Sequence, residues 1–455
     1  ERFFRLDDGR PWIPIGCDLS ALAAPNAAAY RAQFTQILRA GGNAARISLS
    51  LNALQLEKNA GQYDADIASE IDEILRAAQA RGISVILCAE RAGDISRQSA
   101  RHPYFRERGG PLAATPEFFR NVAAKRFFQN RVTYLAARYG AFRSVWSWEL
   151  LESVDACWPI LKQNPDTAKL KMTEIDLARR ARRDVQEWID EMAVYLRGMD
   201  SHDHPISVSL TLNPDTPWLD LERSENIDWI ATRPELPALD ERARDDKNRD
   251  ASSLLAAWAI VSRQPNRRVR PFAVLDLVAP GAAPTGAIQN QIQWASLAAG
   301  FAAPLLVPVD AAGTRTLLDF SGSAAFAAGL AAVLDGEARD AGRFIDEDSP
   351  AKDQMPLRIT GRISTTGAAL WIRDKRSTTA ADTAGADVVR AEVPLAGFRP
   401  GRYSVMWLDT SSGSVLASET IVALELKSGQ PLSQVVLKMP PVFKRDIAVV
   451  ILPQK

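Results

Sequence analysis

The chain reads as an α/β protein, a parallel (β/α)8 barrel of the TIM type followed by a small all-β sandwich. Three observations predict this. Eight short apolar runs alternate with amphipathic stretches as far as about residue 340. No glycine-rich phosphate loop accompanies them, which speaks against the alternative, a doubly wound open sheet. Past a charged stretch, the pattern changes to closely spaced strands with Gly, Ser and Pro turns. The expected division is a barrel over 1–344, a linker over 345–357 and a β-sandwich over 358–455.

The opening RFFRLDDGRPWIPIG predicts a hairpin turning at Asp8-Gly9, a favoured two-residue turn pair. Strand-like runs follow at WIPIGCD, NAARISL, SVILCAE, SVWSWEL, PISVSLT, IDWIAT, PFAVLDL and PLLVPVD. Between them, DIASEIDEILRAAQARG and RFFQNRVTYLAARYG carry apolar residues three and four apart, and Gly82 and Gly140 are suitable helix stops. The Arg-rich run LARRARRDVQEW, residues 177 to 188, has the same spacing and reads as a solvated helix face. His202 and His204 in SHDHPISVS lack a third ligand for zinc, so a turn before a strand is expected there. The charged IDEDSPAKDQ, residues 345 to 354, reads as linker. LRITGRIS, AALWIRD, RAEVPL, GRYSVMWLDT, ETIVALEL, SQVVLKM and DIAVVIL then supply the sandwich strands.

Composition narrows the function classes. Of 455 residues 46% are hydrophobic and 24% charged, and Lys+Arg equals Asp+Glu at 55 each. A balanced charge gives no electrostatic reason for a nucleic-acid or anionic-membrane partner. The longest uncharged apolar run, Trp294 to Val309, is interrupted by Ser296, Gly300, Pro304 and Pro308. It falls short of the roughly 20 residues a spanning helix needs. Cys17, Cys88 and Cys157 are odd in number and lack metal-type spacing. Cys17 and Cys88 suit buried positions in apolar runs. No metal or cofactor is expected. The chain opens on Glu1, so a removed segment is expected ahead of it, either a signal peptide or a stretch left off in cloning.

Side chains that do chemistry in a parallel barrel sit at the C-terminal strand ends. The stretch SVWSWELLESVD, residues 144 to 155, offers Glu149, Glu152 and Asp155 at one such end. LRAGGNAARISL, GQYDADIASEIDEILRAAQARGISVIL, RVTYLAARYGAFRSVWSWELLESVD, RRVRPFAVLDLV and IQWASLAAGFAAPLLVPVD together resemble the cellulase-like glycoside hydrolases of clan A. GRYSVMWLDTSSGSV resembles the β-sandwich that often follows such barrels. The resemblance implies an oligo- or polysaccharide partner and an exported protein, periplasmic or extracellular. Its fourth strand typically ends W-E-L-x-N-E, the last Glu being the general acid/base. Trp148, Glu149 and Leu150 match, Glu152 stands where the family has Asn, and Ser153 stands where it has the acid. The family's nucleophilic Glu falls on Asp276, and its strand-six His and aromatic fall on Arg233 and Glu235. The sugar-stacking Trp of strand eight falls on Val307-Pro308. Arg46 keeps the family's residue, which orients the nucleophile.

Each departure has a chemical consequence. A serine hydroxyl cannot protonate a glycosidic oxygen as a carboxylic acid does. Asp276 is one methylene shorter than Glu, while retaining chemistry wants its carboxyls about 5–5.5 Å apart. The expectation is therefore a glycosidase-like barrel that has lost hydrolysis and acts as a carbohydrate-binding or scaffolding protein. Arg46, Trp148, Arg233, Glu235 and Trp158 are its expected substrate contacts. One alternative is an active hydrolase of altered mechanism, with Glu152 and Asp276 as an inverting pair around a water. The other is a protein-binding scaffold with no sugar ligand. Strand alternation makes Glu149 structural, and Asp155 lies beyond the strand end. Glu90-Arg91, after strand three, reads as an exposed ion pair, with ligand contact as the alternative, and Asp310 as a cap or loop residue. Trp158, Trp218 and Trp229 are either sugar platforms or core and loop anchors.

Overall fold

Each of the eight expected runs carries a strand: β1 (Gly16–Asp18), β2 (Ala44–Ser48), β3 (Ser84–Cys88), β4 (Val145–Glu149), β5 (Ile206–Leu210), β6 (Trp229–Thr232), β7 (Phe272–Val274) and β8 (Val307–Pro308). In the computed structural model they form one parallel sheet in the order β7-β6-β5-β4-β3-β2-β1-β8. That is chain order with the eighth strand beside the first, the wall of a curled, TIM-barrel-like α/β domain. The structure describes residues 3–20, 22, 25–51, 54–97, 99–157, 172–211, 224–232, 271–274, 293–303, 307–308, 320–335, 343–348, 357–374, 392–424, 433–440 and 446–454.

Helices among the described residues include α1 (Ala27–Arg39), α2 (Ala65–Gln79), α3 (Ala92–Ser96), α4 (Val122–Tyr139), α5 (Met172–Met199) and α6 (Ser321–Asp335). Asn26, Asp64 and Asn121 cap the first two and the fourth, each side chain accepting from backbone N–H groups of the first turn. The period of α2 buries Ala68, Ile71, Ile74, Leu75 and Ala78 on one stripe. Between α4 and α5, Phe128 and Trp188 meet with ring centroids 4.9 Å apart.

The N-terminal hairpin pairs Phe4–Arg5 with Pro11–Trp12 and turns through Gly9 at φ 84°, a left-handed position that glycine adopts without penalty. Phe4 and Trp12 meet Trp146 edge-on, at centroid distances of 4.8 and 5.0 Å, and Trp146 stacks on Trp229. Trp146 and Trp229 lie at the starts of β4 and β6, so the hairpin seals the N-terminal end of the sheet and leaves the opposite end for a site. Trp229 is thus a core anchor, fully buried, its indole N–H donating to Ser147 Oγ at 2.8 Å.

The C-terminal part is antiparallel. Strands β9 (Arg343–Asp348), β10 (Leu357–Ile363), β11 (Ala368–Asp374), β12 (Glu392–Phe398), β13 (Gly401–Leu408), β14 (Val415–Ala423), β15 (Ser433–Lys438) and β16 (Asp446–Pro453) follow α6. Six form a sheet in the order β9-β10-β11-β16-β13-β14, and β12 pairs with β15. Leu370, Ile372, Val405 and Val449 on one face of the sheet join Val393, Leu395 and Leu437 of the β12–β15 pair in a core of their own. The other face gives Ala369, Trp371, Ala448 and Val450 to the core of the α/β domain. Trp294 stacks on Trp371 at 6.4 Å and donates its indole N–H to the Thr410 carbonyl at 3.2 Å.

Residues 345–348, expected to begin the linker, are strand instead. β9 pairs with β10, Ile345 is buried, and Asp346 accepts from Arg358 Nε at 2.8 Å and from Thr360 at 2.9 Å. One of the charges that suggested a solvated linker, Asp346, is paired across the ladder with Arg358. Among the described residues no helix is long and apolar enough to cross a membrane, and no cluster of His, Cys, Asp and Glu is disposed to hold a metal. All three cysteines are free and buried.

Candidate functional site

Arg46 lies in β2 and its side chain is fully buried. Its guanidinium reaches two other strands, β1 and β4, and the chain just past each. Nε donates to Glu149 at 2.5 Å, Nη1 to Asp18 at 3.0 Å and Ser20 at 2.8 Å, and Nη2 to Glu152 at 2.9 Å. The ladder dictates this meeting: Asp18 stands opposite Arg46, and residues opposite each other in a parallel pair share a face. Burial alone would disfavour the charge on Arg46. Asp18, Glu149 and Glu152 outweigh it and push the guanidinium pKa well above its ordinary range.

Glu152 has a second cation. Arg91, just past β3, binds it bidentately, with Nε 2.9 Å from Oε2 and Nη2 3.2 Å from Oε1. Glu149 is tied further by Ser209 Oγ, which donates to it at 2.7 Å while accepting from the Ser153 backbone N–H at 2.9 Å. Ser153 itself sits in the left-handed region, at φ 50° and ψ 48°. The strand ends at Glu149 and the chain bends at Leu150, so period-two alternation no longer governs Glu152. Both carboxylates therefore arrive on the same arginine. Asp155 serves the same bend by accepting from the Thr211 backbone N–H at 2.7 Å and from its hydroxyl.

A second buried centre adjoins the first. Glu90, expected in an exposed pair with Arg91, is buried and bound by His102 at 3.0 Å and Arg131 at 2.9 Å. It holds Arg91 through the backbone, Oε1 accepting the Arg91 N–H at 2.8 Å. Its carbonyl also accepts the Glu152 N–H at 2.9 Å. The Tyr104 N–H donates to His102 Nδ1, so the ring proton belongs on Nε2, facing Glu90. Burial would raise the Glu90 pKa, but His102 and Arg131 overcome it and hold the carboxyl below its usual range. Glu57 also lies on Arg131, and there burial wins and pushes the carboxyl up. A small pocket beside this centre is lined by Ser50, Gln55, Glu57, Glu90, His102 and Arg131.

Of the expected contacts, the structure brings Arg46 and Glu152 together, with Ser153 adjacent. Trp148 goes elsewhere. It projects from the face of β4 opposite Glu149, is 2% exposed, and donates its indole N–H to Asp200 at 2.9 Å. With the ring wrapped in core, no face is left open to a sugar. Asp276, Arg233, Glu235, Trp158, Trp218 and Asp310 lie outside the described residues. Asp18, Ser20, Arg91 and Ser209 are site residues that sequence reasoning missed. The available signal was Arg46 itself, since a guanidinium inside a barrel requires carboxylates from neighbouring strands.

The curled sheet of eight parallel strands in chain order carries an arginine–carboxylate cluster at its C-terminal end, and the fold is one that solved glycoside hydrolases share. Solved structures that share the fold are of that kind. A glycoside hydrolase family 5 protein from Bacteroides vulgatus is 10% identical, with 99% of this chain and 91% of that chain covered and a TM-score of 0.55. The endo-β-1,4-mannanase from Thermotoga petrophila is 13% identical, with 96% and 98% covered and a TM-score of 0.51. Among curated proteins, mannan endo-1,4-β-mannosidase 7 from Arabidopsis thaliana is 25% identical over 156 residues. That match covers 32% of this chain and 31% of the plant enzyme, less than a third of its length. No family model matches the chain. At these identities the likeness is one of fold.

Proposed function

We propose that this chain is a glycosidase-like barrel without glycosidase chemistry, binding saccharide at the mouth marked by Arg46 and Glu152. Ser153 carries the reading. The position aligned with the general acid holds no carboxyl, and the nearest ones, Glu149 and Glu152, are spoken for by guanidiniums. A general acid must deliver a proton, whereas these two groups serve the cluster as anions. The Ala273–Ala303 bridge, between β7 and the chain ahead of β8, supports closure of the sheet into a complete (β/α)8 barrel. The shared core of β12–β15 and the six-stranded sheet supports a β-sandwich as the companion domain.

The decisive assay is turnover on a panel of β-linked mannans and glucans, β-mannan first because two fold and sequence relatives are mannanases. We expect no turnover by the wild type, together with saccharide binding in calorimetry. Hydrolysis that Asp276→Asn abolishes refutes the proposal in favour of an inverting hydrolase. Absence of binding across the whole panel refutes it in favour of a protein-binding scaffold.

A further inference from the structure

We infer that the small pocket beside Glu90 is a hydroxyl subsite, which seats one neutral O–H group between Arg131 and Glu57. The group comes either from a water molecule or from one hydroxyl of a bound saccharide. Only the second source rests on the saccharide reading.

The pocket lies at the same end of the sheet as the Arg46 cluster. Its walls come from the chain just past β2, from Glu90 past β3 and from Arg131 of α4. Its charged and titratable lining, Glu57, Glu90, His102 and Arg131, is between 1% and 3% exposed. Gln55 is the one lining residue that is not buried, so the way in passes its amide. The space suits about one water-sized group.

Two polar groups of this lining are short of partners. Arg131 Nε is buried with no hydrogen-bond partner, while Nη1 serves Glu90 at 2.9 Å and Nη2 the Leu49 carbonyl at 2.7 Å. A buried donor without an acceptor is costly to the fold. Glu57 is the other. It accepts from the Gly61 N–H at 2.6 Å and from the Tyr104 hydroxyl at 3.1 Å. Arg131 Nη1 stands off at 3.7 Å, beyond hydrogen-bond reach. A carboxylate has about four lone-pair sites, so Glu57 has room for a further donor. Burial pushes its pKa up, as befits a carboxylate with too few donors. Glu90 is better served, with His102, Arg131 and the Arg91 N–H on its oxygens. Both ring nitrogens of His102 are engaged as well.

The occupant must therefore accept from Arg131 and donate to Glu57 within the space of one heavy atom. A metal ion or ammonium offers no acceptor, and a halide offers no donor. A hydroxyl does both, and being neutral it leaves the Arg131–Glu90 pair undisturbed.

The test uses wild-type crystals, free and soaked with β-1,4-mannotriose. In the free crystal an ordered oxygen is expected within about 3.2 Å of both Arg131 Nε and Glu57. In the soaked crystal, a sugar hydroxyl on the same two atoms makes the saccharide the source, and a retained water makes the pocket a water site. No oxygen on these atoms in either crystal overturns the inference. So does rubidium or bromide found in the pocket by anomalous scattering after soaks in each salt. Arg131→Lys, which keeps the charge on a single nitrogen, is expected to lose the oxygen. An oxygen kept at full occupancy in that variant overturns the role given to Arg131. Should Arg131→Lys fail to fold by circular dichroism, the wild-type crystals decide. If calorimetry finds no saccharide bound, the saccharide reading falls, and the free crystal judges the subsite alone.

Discussion

Arg46→Met is the most informative stability perturbation. It preserves volume and removes the cation from Asp18, Glu149 and Glu152, whose side chains are 3%, 0% and 6% exposed. The three are not orphaned equally. Glu152 keeps Arg91, Glu149 keeps the Ser209 hydroxyl, and Asp18 keeps only the Ser20 backbone N–H among the bonds described here. Removing one partner of a buried ion pair costs about 3–5 kcal/mol. Because one cation is withdrawn from three buried carboxylates, the loss at pH 7 should reach about 3–5 kcal/mol, a large share of the 5–15 kcal/mol typical of a domain. Arg91→Ala should cost about 1 kcal/mol or less, because the lost contact is partly exposed and Glu152 stays paired. Urea unfolding followed by circular dichroism measures both, with the slope checked for constancy. The Arg46→Met deficit should shrink as the pH is lowered, because the orphaned carboxylates can then take up protons. A loss under about 1 kcal/mol for Arg46→Met, or equal losses for both variants, refutes Arg46 as the central cation of the cluster.

Other perturbations test the frame around the site. Asp200 sits where burial would raise its pKa, but His204 and Trp148 outweigh burial and hold the carboxyl far below its usual range. Its contribution is therefore complete above the unfolded value near pH 4 and is lost as the pH falls through the lower folded value. Asp200→Asn should destabilise at pH 7, with the difference closing in acid; a constant difference in urea titrations from pH 7 to 2 refutes the assignment. In a double-mutant cycle, Trp148→Phe and Asp200→Asn should couple by about 1–3 kcal/mol, and independent effects would contradict the bond between them. Ser153→Gly should leave thermal stability level or slightly raised, since the left-handed backbone costs an L-residue about 1–2 kcal/mol, and Ser153→Val should lower it. At Gly16 a Cβ would lie 1.7 Å from the Ala44 carbonyl oxygen, so Gly16→Ala should cost about 1–3 kcal/mol or more; a neutral melt would contradict the close β1–β2 approach.

Much of the fold is legible because periodicity is local. Alternation in NAARISL and SVWSWEL, Asn and Asp caps, and Asp8-Gly9 are decided within a few residues, and the strands form where these features place them. The site is legible where the chain can be laid on a family motif, which Arg46 keeps and Ser153 breaks. Arg91 and Glu90 were misread because neighbours in sequence need not bond each other. Each found its partner 61 or 41 residues away, on Glu152 and Arg131.

The order of elements, the switch from α/β to all-β, and the serine at the acid position belong to the sequence alone, since each is a matter of residue type and local spacing. Which carboxylates share Arg46 was left to tertiary structure. The curl of the sheet brings β1, β2, β4 and the turn after β4 to one guanidinium, and the end of β4 at Glu149 frees Glu152 from the strand's alternation, so both carboxylates reach it. A buried charge takes whatever partners the curl of the sheet supplies, because leaving it unpaired costs several kcal/mol, about as much as a small domain can spare.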